Sequence, residues 1–430
     1  MNWAILLGSA AISGGTNVIF EHASRAQRRG VNVSIITEAP VRPADHAWHP
    51  AGRSLRWLTY SQLAGQEFDV ALATWWVTAY HLYRVPARRY GYFVQSIESR
   101  FYPETDRRTR GLVDATYALP TGFITEATWI RDYLGRHYGV AAELVHNGIR
   151  KDLFAPHGSS AAPRVAGRLR VLVEGSVNVP FKNVPRTIEL CRQSRADEVW
   201  LLSPTPIESC PGVDRLFSCV PIHETPAIYR SCDVLVKLSY VEGMFGPPLE
   251  MFHCGGTSVV YAVTGHDEYI RDRENAVVCR PDDELAVVQA LDRLKADPDL
   301  LARLKRGAAA TAAGWPDWDS AAQRFEAAVT RLIEKDGCTR DQLVAHLPRV
   351  LDWLLFRQNQ QEVALSSQAR LLEERWSAMQ EMERMIQERD ATVAAQARLL
   401  DERWAAMQAM ERLIRDHSRA PESPRGSRPG

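Results

Sequence analysis

Val234–Gly256 reads VLVKLSYVEGMFGPPLEMFHCGG, and the order of residue types in it decides the fold. Val234, Leu235 and Val236 make a short apolar run suited to a buried strand, and Ser239–Gly246 suits the loop leaving its carboxyl end. Pro247 and Pro248 fit the first turn of a helix, where a missing N–H costs little. Glu250 is expected in that first turn, and Gly255-Gly256 would close the helix. A strand, a glycine-bearing loop and a helix N-terminus together make an anion site. Glu242 and Glu250 flank it, with seven residues between them. Two carboxylates beside a phosphate repel it unless they serve another part of the ligand. A nucleotide diphosphate sugar fits: its diphosphate rests on the helix N-terminus, and its sugar hydroxyls donate to the carboxylates. The plainer alternative is a helix start with an acidic first turn.

Outward from this stretch, the whole chain has 430 residues, which is long for one core and suggests two domains and an appendage. Lys+Arg and Asp+Glu both number 52, so no whole-chain charge argues for a nucleic-acid partner. The 7 cysteines fall irregularly between Cys191 and Cys338, without metal-ligand spacing, and read as reduced thiols. No run approaches the ~18 apolar residues of a membrane span. Trp3–Ile12 is apolar but lacks a basic flank and runs into Ser13-Gly14-Gly15, so it reads as a first buried strand rather than a signal core. A cytoplasmic location is expected.

Trp3–Leu7 reads as a strand, Gly14-Gly15 as a loop opening a helix from about Asn17 to Arg29, and Val31–Ile36 as the returning strand. This βαβ unit puts its glycines at a strand's carboxyl end, where open α/β sheets bind ligands. Further strands are expected at Val70–Thr74, Gly91–Gln95 and Gly122–Thr125. Trp75, Trp76, Tyr80 and Tyr83 follow a strand end facing the expected cleft, as a sugar-stacking platform or as buried packing. Leu169–Glu174 begins the second domain as a strand, and the loop Gly175–Asn183 carries Lys182, a point cation for phosphate. DPD at 297–299 and DWD at 317–319 lie at helix boundaries and read as caps rather than metal ligands, so no catalytic metal is expected. Asp317–Lys335 reads as an amphipathic helix.

The pair Glu242/Glu250, the GMFGPPLE loop and the run HCGGTSVVYAV resemble the retaining family-4 glycosyltransferases. TGHDEYI, IHETPAIYRSCDV and VHNGI with Phe154 fit the same pattern, and the resemblance covers roughly residues 1–335. GYFVQSIESRFYPETD and VTGHDEYI look more narrowly like transferases of bacterial surface-polysaccharide and O-antigen assembly, rhamnosyltransferases among them. The resemblance implies an α/β fold of two facing Rossmann-like domains (GT-B). The N-terminal acceptor domain would span 1–157 and the nucleotide-sugar domain 158–335, its last helix crossing back to the first.

In that frame Lys182 is aimed at the donor diphosphate, Glu242 at the transferred hexose and Glu250 at the ribose. Phe245, Gly246 and Pro247 would line the donor site, and Gly14, Gly15 and Gly265 would let backbone approach the ligand. Residues Val220–Ile222 would cradle the base. No cofactor beyond the nucleotide-sugar substrate is implied. The family's arginine near Ser176 is missing, to be replaced by Lys182 and the helix dipole, by Arg186, or by an N-domain arginine. No histidine stands at the strand ends where many members carry one, and Gln95 and Glu98 become candidates for acceptor contact. The resemblance implies a glycan acceptor carried on a lipid. Arg84–Lys151, with 11 Lys+Arg against 7 Asp+Glu, is then a candidate for peripheral membrane contact or simply a solvated basic face. A nucleotide-sugar 2-epimerase and an assembly scaffold with a decayed transferase domain are the alternatives.

Beyond residue 336 the composition changes. QARLLEERW at 368–376 recurs as QARLLDERW at 396–404, a shift of 28 residues or four heptads. Leu365, Leu372, Met379, Ile386, Val393, Leu400, Met407 and Ile414 form an unbroken seven-residue ladder, the pattern of a left-handed coiled coil. A homo-oligomer or a partner helix through 361–417 is expected, the alternative being a helix lying on its own catalytic body. The polar stretch 418–430 reads as a disordered tail.

Overall fold

The computed structural model describes residues 1–417, and the expected tail at 418–430 lies outside the described residues. Residues 1–350 form one compact unit, and a second begins at Leu351. The first unit is built on two parallel sheets. One holds β1 (Asn2–Leu6), β2 (Asn32–Thr37), β3 (Arg56–Thr59), β4 (Phe68–Ala73), β5 (Ala87–Val94), β6 (Gly122–Thr125) and β7 (Ala142–Leu144), in the order β3-β2-β1-β4-β5-β6-β7. The other holds β8 (Arg170–Glu174), β9 (Glu198–Ser203), β10 (Arg215–Ser218), β11 (Val234–Lys237), β12 (Thr257–Tyr261) and β13 (Val277–Cys279), in the order β10-β9-β8-β11-β12-β13. Strands such as β1, β11 and β12 are near-continuous runs of buried residues, as parallel strands covered on both faces must be. These are two Rossmann-like layers.

The helices that frame the cleft and its surroundings are α1 (Gly14–Arg28), α2 (Val184–Gln193), α3 (Gly246–His253) and α4 (Trp318–Glu334), and a long α5 (Leu347–His417) ends the described chain. α4 lies beside the first sheet although the chain has by then passed through the second. Its Trp318, Phe325, Val329 and Leu332 join Trp3, Phe93 and Ile124 in one apolar cluster. Two passages therefore link the layers. They run side by side, with Ile149 bridged to Asp317 and the Trp315 indole N–H donating to the Asn147 carbonyl at 2.9 Å.

Several local expectations shift. α1 begins at Gly14, so Gly14 and Gly15 are helical residues rather than loop, because the Ser13 hydroxyl accepts the Thr16 N–H at 3.0 Å and caps the helix there. α3 likewise begins at Gly246, which puts Glu250 in the second turn instead of the first. Asp297 and Asp317 each accept a helix N–H, from Leu300 at 2.9 Å and Ser320 at 2.8 Å, as capping carboxylates do. No helix among the described residues is long and apolar enough to cross a membrane.

Candidate functional site

The carboxyl ends of both sheets open on a cavity of about 790 Å³ between the layers. Its second-sheet wall is built by β8, β11 and α3. β11 sits between β8 and β12, fully buried, so the residues that follow it emerge at the cleft floor. There Glu242 is buried, and the Lys182 ammonium lies 2.9 Å from each of its carboxylate oxygens. Lys237, the last residue of β11, is only 3% exposed and stands 3.6 Å from the same carboxylate. It also donates to the Glu174 carboxylate at 2.5 Å and to the Glu174 carbonyl at 3.1 Å. Glu174, Lys237, Glu242 and Lys182 thus alternate in charge along one row. Burial alone would raise the Glu242 pKa, but the two lysines outweigh it and hold the carboxyl below its ordinary value. Lys237 is shifted up, the pull of Glu174 and Glu242 outweighing the desolvation that would lower it.

Glu250 lines the same cavity from α3. Burial pushes its carboxyl up to about 7, against a hydrogen bond from Tyr229 that lowers it. Between the two glutamates Gly246 and Pro247 line the cavity at the start of α3, where Pro247 and Pro248 carry no N–H and the Gly246 N–H donates to the Met244 carbonyl at 3.0 Å, so the helix end acts there through its dipole. Val220 and Ile222 line it further along.

The opposite wall comes from the first sheet. Gly14, Gly15, Trp75, Gln95, Ser96 and Glu98 line it from the carboxyl ends of β1, β4 and β5. Burial pushes Glu98 up to about 8, even though it accepts the Trp76 N–H at 2.7 Å and the Tyr92 hydroxyl at 3.0 Å. The walls touch below the cavity. Glu126, after β6, accepts the Met244 N–H at 3.1 Å and the Asn147 amide at 2.8 Å, and burial lifts it to about 7. The Trp129 indole donates to the Gly243 carbonyl at 2.9 Å. Glu268 accepts from the Thr128 hydroxyl at 3.0 Å and pairs with His146 at 2.9 Å. Gly243 packs so closely under Gln95 that a β-carbon would sit 1.9 Å from the Gln95 carbonyl oxygen.

Of the residues singled out from sequence, Lys182, Glu242, Glu250, Gly246, Pro247, Gly14 and Gly15 share this cavity. Phe245 does not: it is fully buried in the second-layer core, where it packs with Leu249 and Phe252. Gly265 does not either. Its backbone, at φ +84°, lies against the Gly243 carbonyl within the second layer, beside the Trp129 indole of the first. Arg186 is half-buried and engaged with Glu284 at 2.5 Å, outside the cavity lining, so it is no replacement for the missing arginine. Of the four aromatics after β4, Trp76 and Tyr80 are buried and only Trp75 is exposed on the cavity. Lys237, Glu174 and Glu126 escaped the sequence reading. A lysine ending the apolar run VLVK was the one available signal.

The comparisons with known proteins fall on the same elements. Residues 216–311 match the family model described as Glycosyl transferases group 1. A D-inositol 3-phosphate glycosyltransferase of Stackebrandtia nassauensis is 30% identical over 148 residues, which is 34% of this chain and 30% of that relative's length. Among solved structures, sucrose-phosphate synthase from Thermosynechococcus elongatus superposes with a TM-score of 0.63 at 17% identity, over 78% of this chain and 99% of its own. Anabaena HepE, in complex with UDP and glucose, does so with a TM-score of 0.61 at 14% identity, over 77% and 100%. The chain therefore has the GT-B fold, and its Glycosyl transferases group 1 match covers the strand, loop and helix that carry Lys237, Glu242 and Glu250.

Proposed function

We propose that this protein is a retaining glycosyltransferase that moves a hexose or deoxyhexose from a nucleotide diphosphate sugar to a glycan acceptor. The observation that carries the reading is the convergence of Glu242, Glu250 and Lys182 on one cavity at the N-terminus of α3. In this reading the diphosphate rests at the positive end of the α3 dipole beside Lys182, Glu250 accepts the ribose hydroxyls, and Glu242 orients the transferred sugar. The chemistry is then orientation together with stabilisation of the leaving diphosphate by Lys182 and the helix dipole, with no protein nucleophile and no metal required. The HepE complexes hold UDP or UDP-glucose. The likeness of GYFVQSIESRFYPETD to rhamnosyltransferases favours a thymidine-linked rhamnose as the first donor to try, with the acceptor on a lipid at the inner face of the cell membrane.

The deciding experiment is a binding and turnover screen across UDP-glucose, GDP-mannose and dTDP-rhamnose in the presence of EDTA. Release of nucleoside diphosphate with retention at the anomeric carbon is the expected outcome. Formation of a 2-epimer, or no binding of any donor, overturns the reading. We further propose that α5 pairs with a second copy of itself: among its residues Leu365, Leu372, Ile386 and Leu400 are all more than half exposed.

A further inference from the structure

We infer that Glu126 and Trp129 are positioning residues for the transfer: they hold the two poles of the Gly243–Met244 peptide and through it set Glu242. The inference rests on the glycosyltransferase reading and adds to it two residues of the first layer that act through Glu242.

Glu242 lies on the stretch between β11 and α3, where no regular element fixes the backbone. Its own carbonyl accepts the Thr264 hydroxyl at 3.4 Å, a long bond within the second layer. The next peptide is held from the other layer. The Gly243 carbonyl accepts the Trp129 indole N–H at 2.9 Å, and the Met244 N–H donates to the Glu126 carboxylate at 3.1 Å. These are the two ends of one peptide unit, and a trans peptide points them in opposite directions. The unit is therefore gripped from both sides and cannot turn without breaking one of the bonds.

The grip is itself supported. Glu126 is 5% exposed, and its second carboxylate oxygen accepts the Asn147 amide at 2.8 Å, in the passage between the layers. Trp129 stands in the first turn of the helix Thr128–Tyr138 that follows β6, and the Arg100 guanidinium lies over its ring, 5.1 Å from the centroid. From the second layer, Glu268 accepts the Thr128 N–H and, at 3.0 Å, the Thr128 hydroxyl, so the helix that carries Trp129 is fixed in return. Gly243 permits the approach, because a β-carbon there would meet the Gln95 carbonyl oxygen at 1.9 Å. A buried carboxylate is a costly way to join two layers. What it provides, and an apolar contact would not, is a fixed direction for one N–H.

Lys182, Lys237 and Glu250 all belong to the second layer, so the groups proposed to hold the donor stand without this clamp. Its loss should cost alignment of Glu242 rather than donor affinity, and a misplacement of about 1 Å is enough to slow a reaction strongly.

The test measures kcat in the full-length chain with the nucleotide sugar it turns over, and the Kd for that donor by calorimetry without acceptor. Trp129→Phe keeps a ring and removes the indole N–H. Glu126→Gln keeps the shape but turns an NH2 group toward one of two N–H donors. Each should lower kcat by about tenfold or more and leave the donor Kd within roughly threefold of wild type. Because both act on one peptide, the double variant should lose little beyond the worse single. An unchanged kcat in either single, a loss of donor affinity that matches the loss of kcat, or losses that multiply in the double variant overturns the clamp. Should Glu126→Gln fail to fold, Trp129→Phe alone decides. A wild-type chain that binds no nucleotide sugar overturns the transferase reading beneath it, and the clamp's role with it.

Discussion

Lys182 places its ammonium 2.9 Å from both carboxylate oxygens of Glu242, so the two groups proposed to meet the diphosphate and the transferred sugar satisfy each other. A diphosphate competes for Lys182, and a departing lysine would leave a buried carboxylate that burial drives toward its neutral form. Lys237, 3.6 Å away, is the group that keeps Glu242 ionised through that exchange. Glu242→Gln should therefore lower turnover by about 10²–10³-fold, the scale of losing one aimed electrostatic group in a dry site. Its melting temperature should also fall, because the amide keeps the shape but leaves Lys182 and Lys237 without that carboxylate, so turnover is compared at a temperature where both proteins are folded. Full activity in this variant would remove Glu242 from the mechanism.

Lys237 makes a separate prediction through pH. With both lysines present, the Glu242 carboxyl is held below its ordinary value. Replacing Lys237 by Met removes one of the two opposing charges, so the Glu242 pKa rises and the acid limb of the kcat profile moves to higher pH. Glu174 would then be a buried charge without its partner, so the variant to compare is the neutral pair Glu174→Gln with Lys237→Met. An upward shift of the limb is expected, with Lys237→Arg close to wild type. A limb that does not move, with only KM altered, would make Lys237 a donor contact rather than the keeper of Glu242.

Glu250 gives the nucleotide its own pH dependence. Its carboxyl, lifted to about 7 by burial, must be ionised if it accepts from two ribose hydroxyls at once, as proposed above. Binding then prefers the deprotonated form, so affinity is full at alkaline pH and declines as pH falls through 7. Between pH 8 and pH 6 the Kd for the nucleoside diphosphate should rise by about tenfold. Glu250→Gln should bind more weakly at pH 8 and lose that slope. A titration series by calorimetry across the interval decides the matter, and a flat wild-type profile would take the ribose away from Glu250.

Glu98 bears on stability instead. Its folded pKa of about 8 stands above the ordinary 4.5 because the folded chain buries it. Between those two values the unfolded chain sheds a proton that the folded chain keeps. The stability contributed by neutral Glu98 is therefore full below about 4.5 and is lost as pH rises through 8. Glu98→Gln has no proton to lose. Its melting temperature should gain on wild type steadily from pH 5 to pH 8. A difference that is constant across that range would mean Glu98 is charged in the folded protein.

How far the sequence carried this picture depends on distance along the chain. The strand, loop and helix of 234–256 are local, and so is the placing of Lys182 on a strand-to-helix loop, which is why Lys182, Glu242 and Glu250 could be named together. Lys237 and Glu174 meet only because β8 and β11 are neighbours in a sheet whose order the sequence does not spell out. From sequence, Gly265 is expected to let backbone N–H groups approach the ligand, because glycine carries no side chain to keep them away. The structure uses its left-handed backbone for contact with Gly243 instead. Trp75 and Trp76 are indistinguishable by composition, yet the helical turn that begins between them sends one into the core and leaves the other on the cleft.

The long helix offers the last prediction. Leu372 and Leu400 stand at equivalent places in the two repeats, and each is 66% exposed. A seven-residue ladder keeps such side chains on one stripe only if the helix coils about another, and a lone helix in water has nothing to cover them. Because the repeat distance of 28 residues is a whole number of heptads, two copies can pair along the full ladder without losing phase. Light scattering should therefore give a mass at least twice the 48.4 kDa of one chain. The double variant Leu372→Asp with Leu400→Asp places two charges in the seam and should return the protein to a single chain. Its affinity for nucleotide sugar should be that of wild type, since residues 1–350 carry every group assigned to the cavity. A wild-type protein that runs as one chain at micromolar concentration would hand the stripe to a helix from another protein and end the self-association reading.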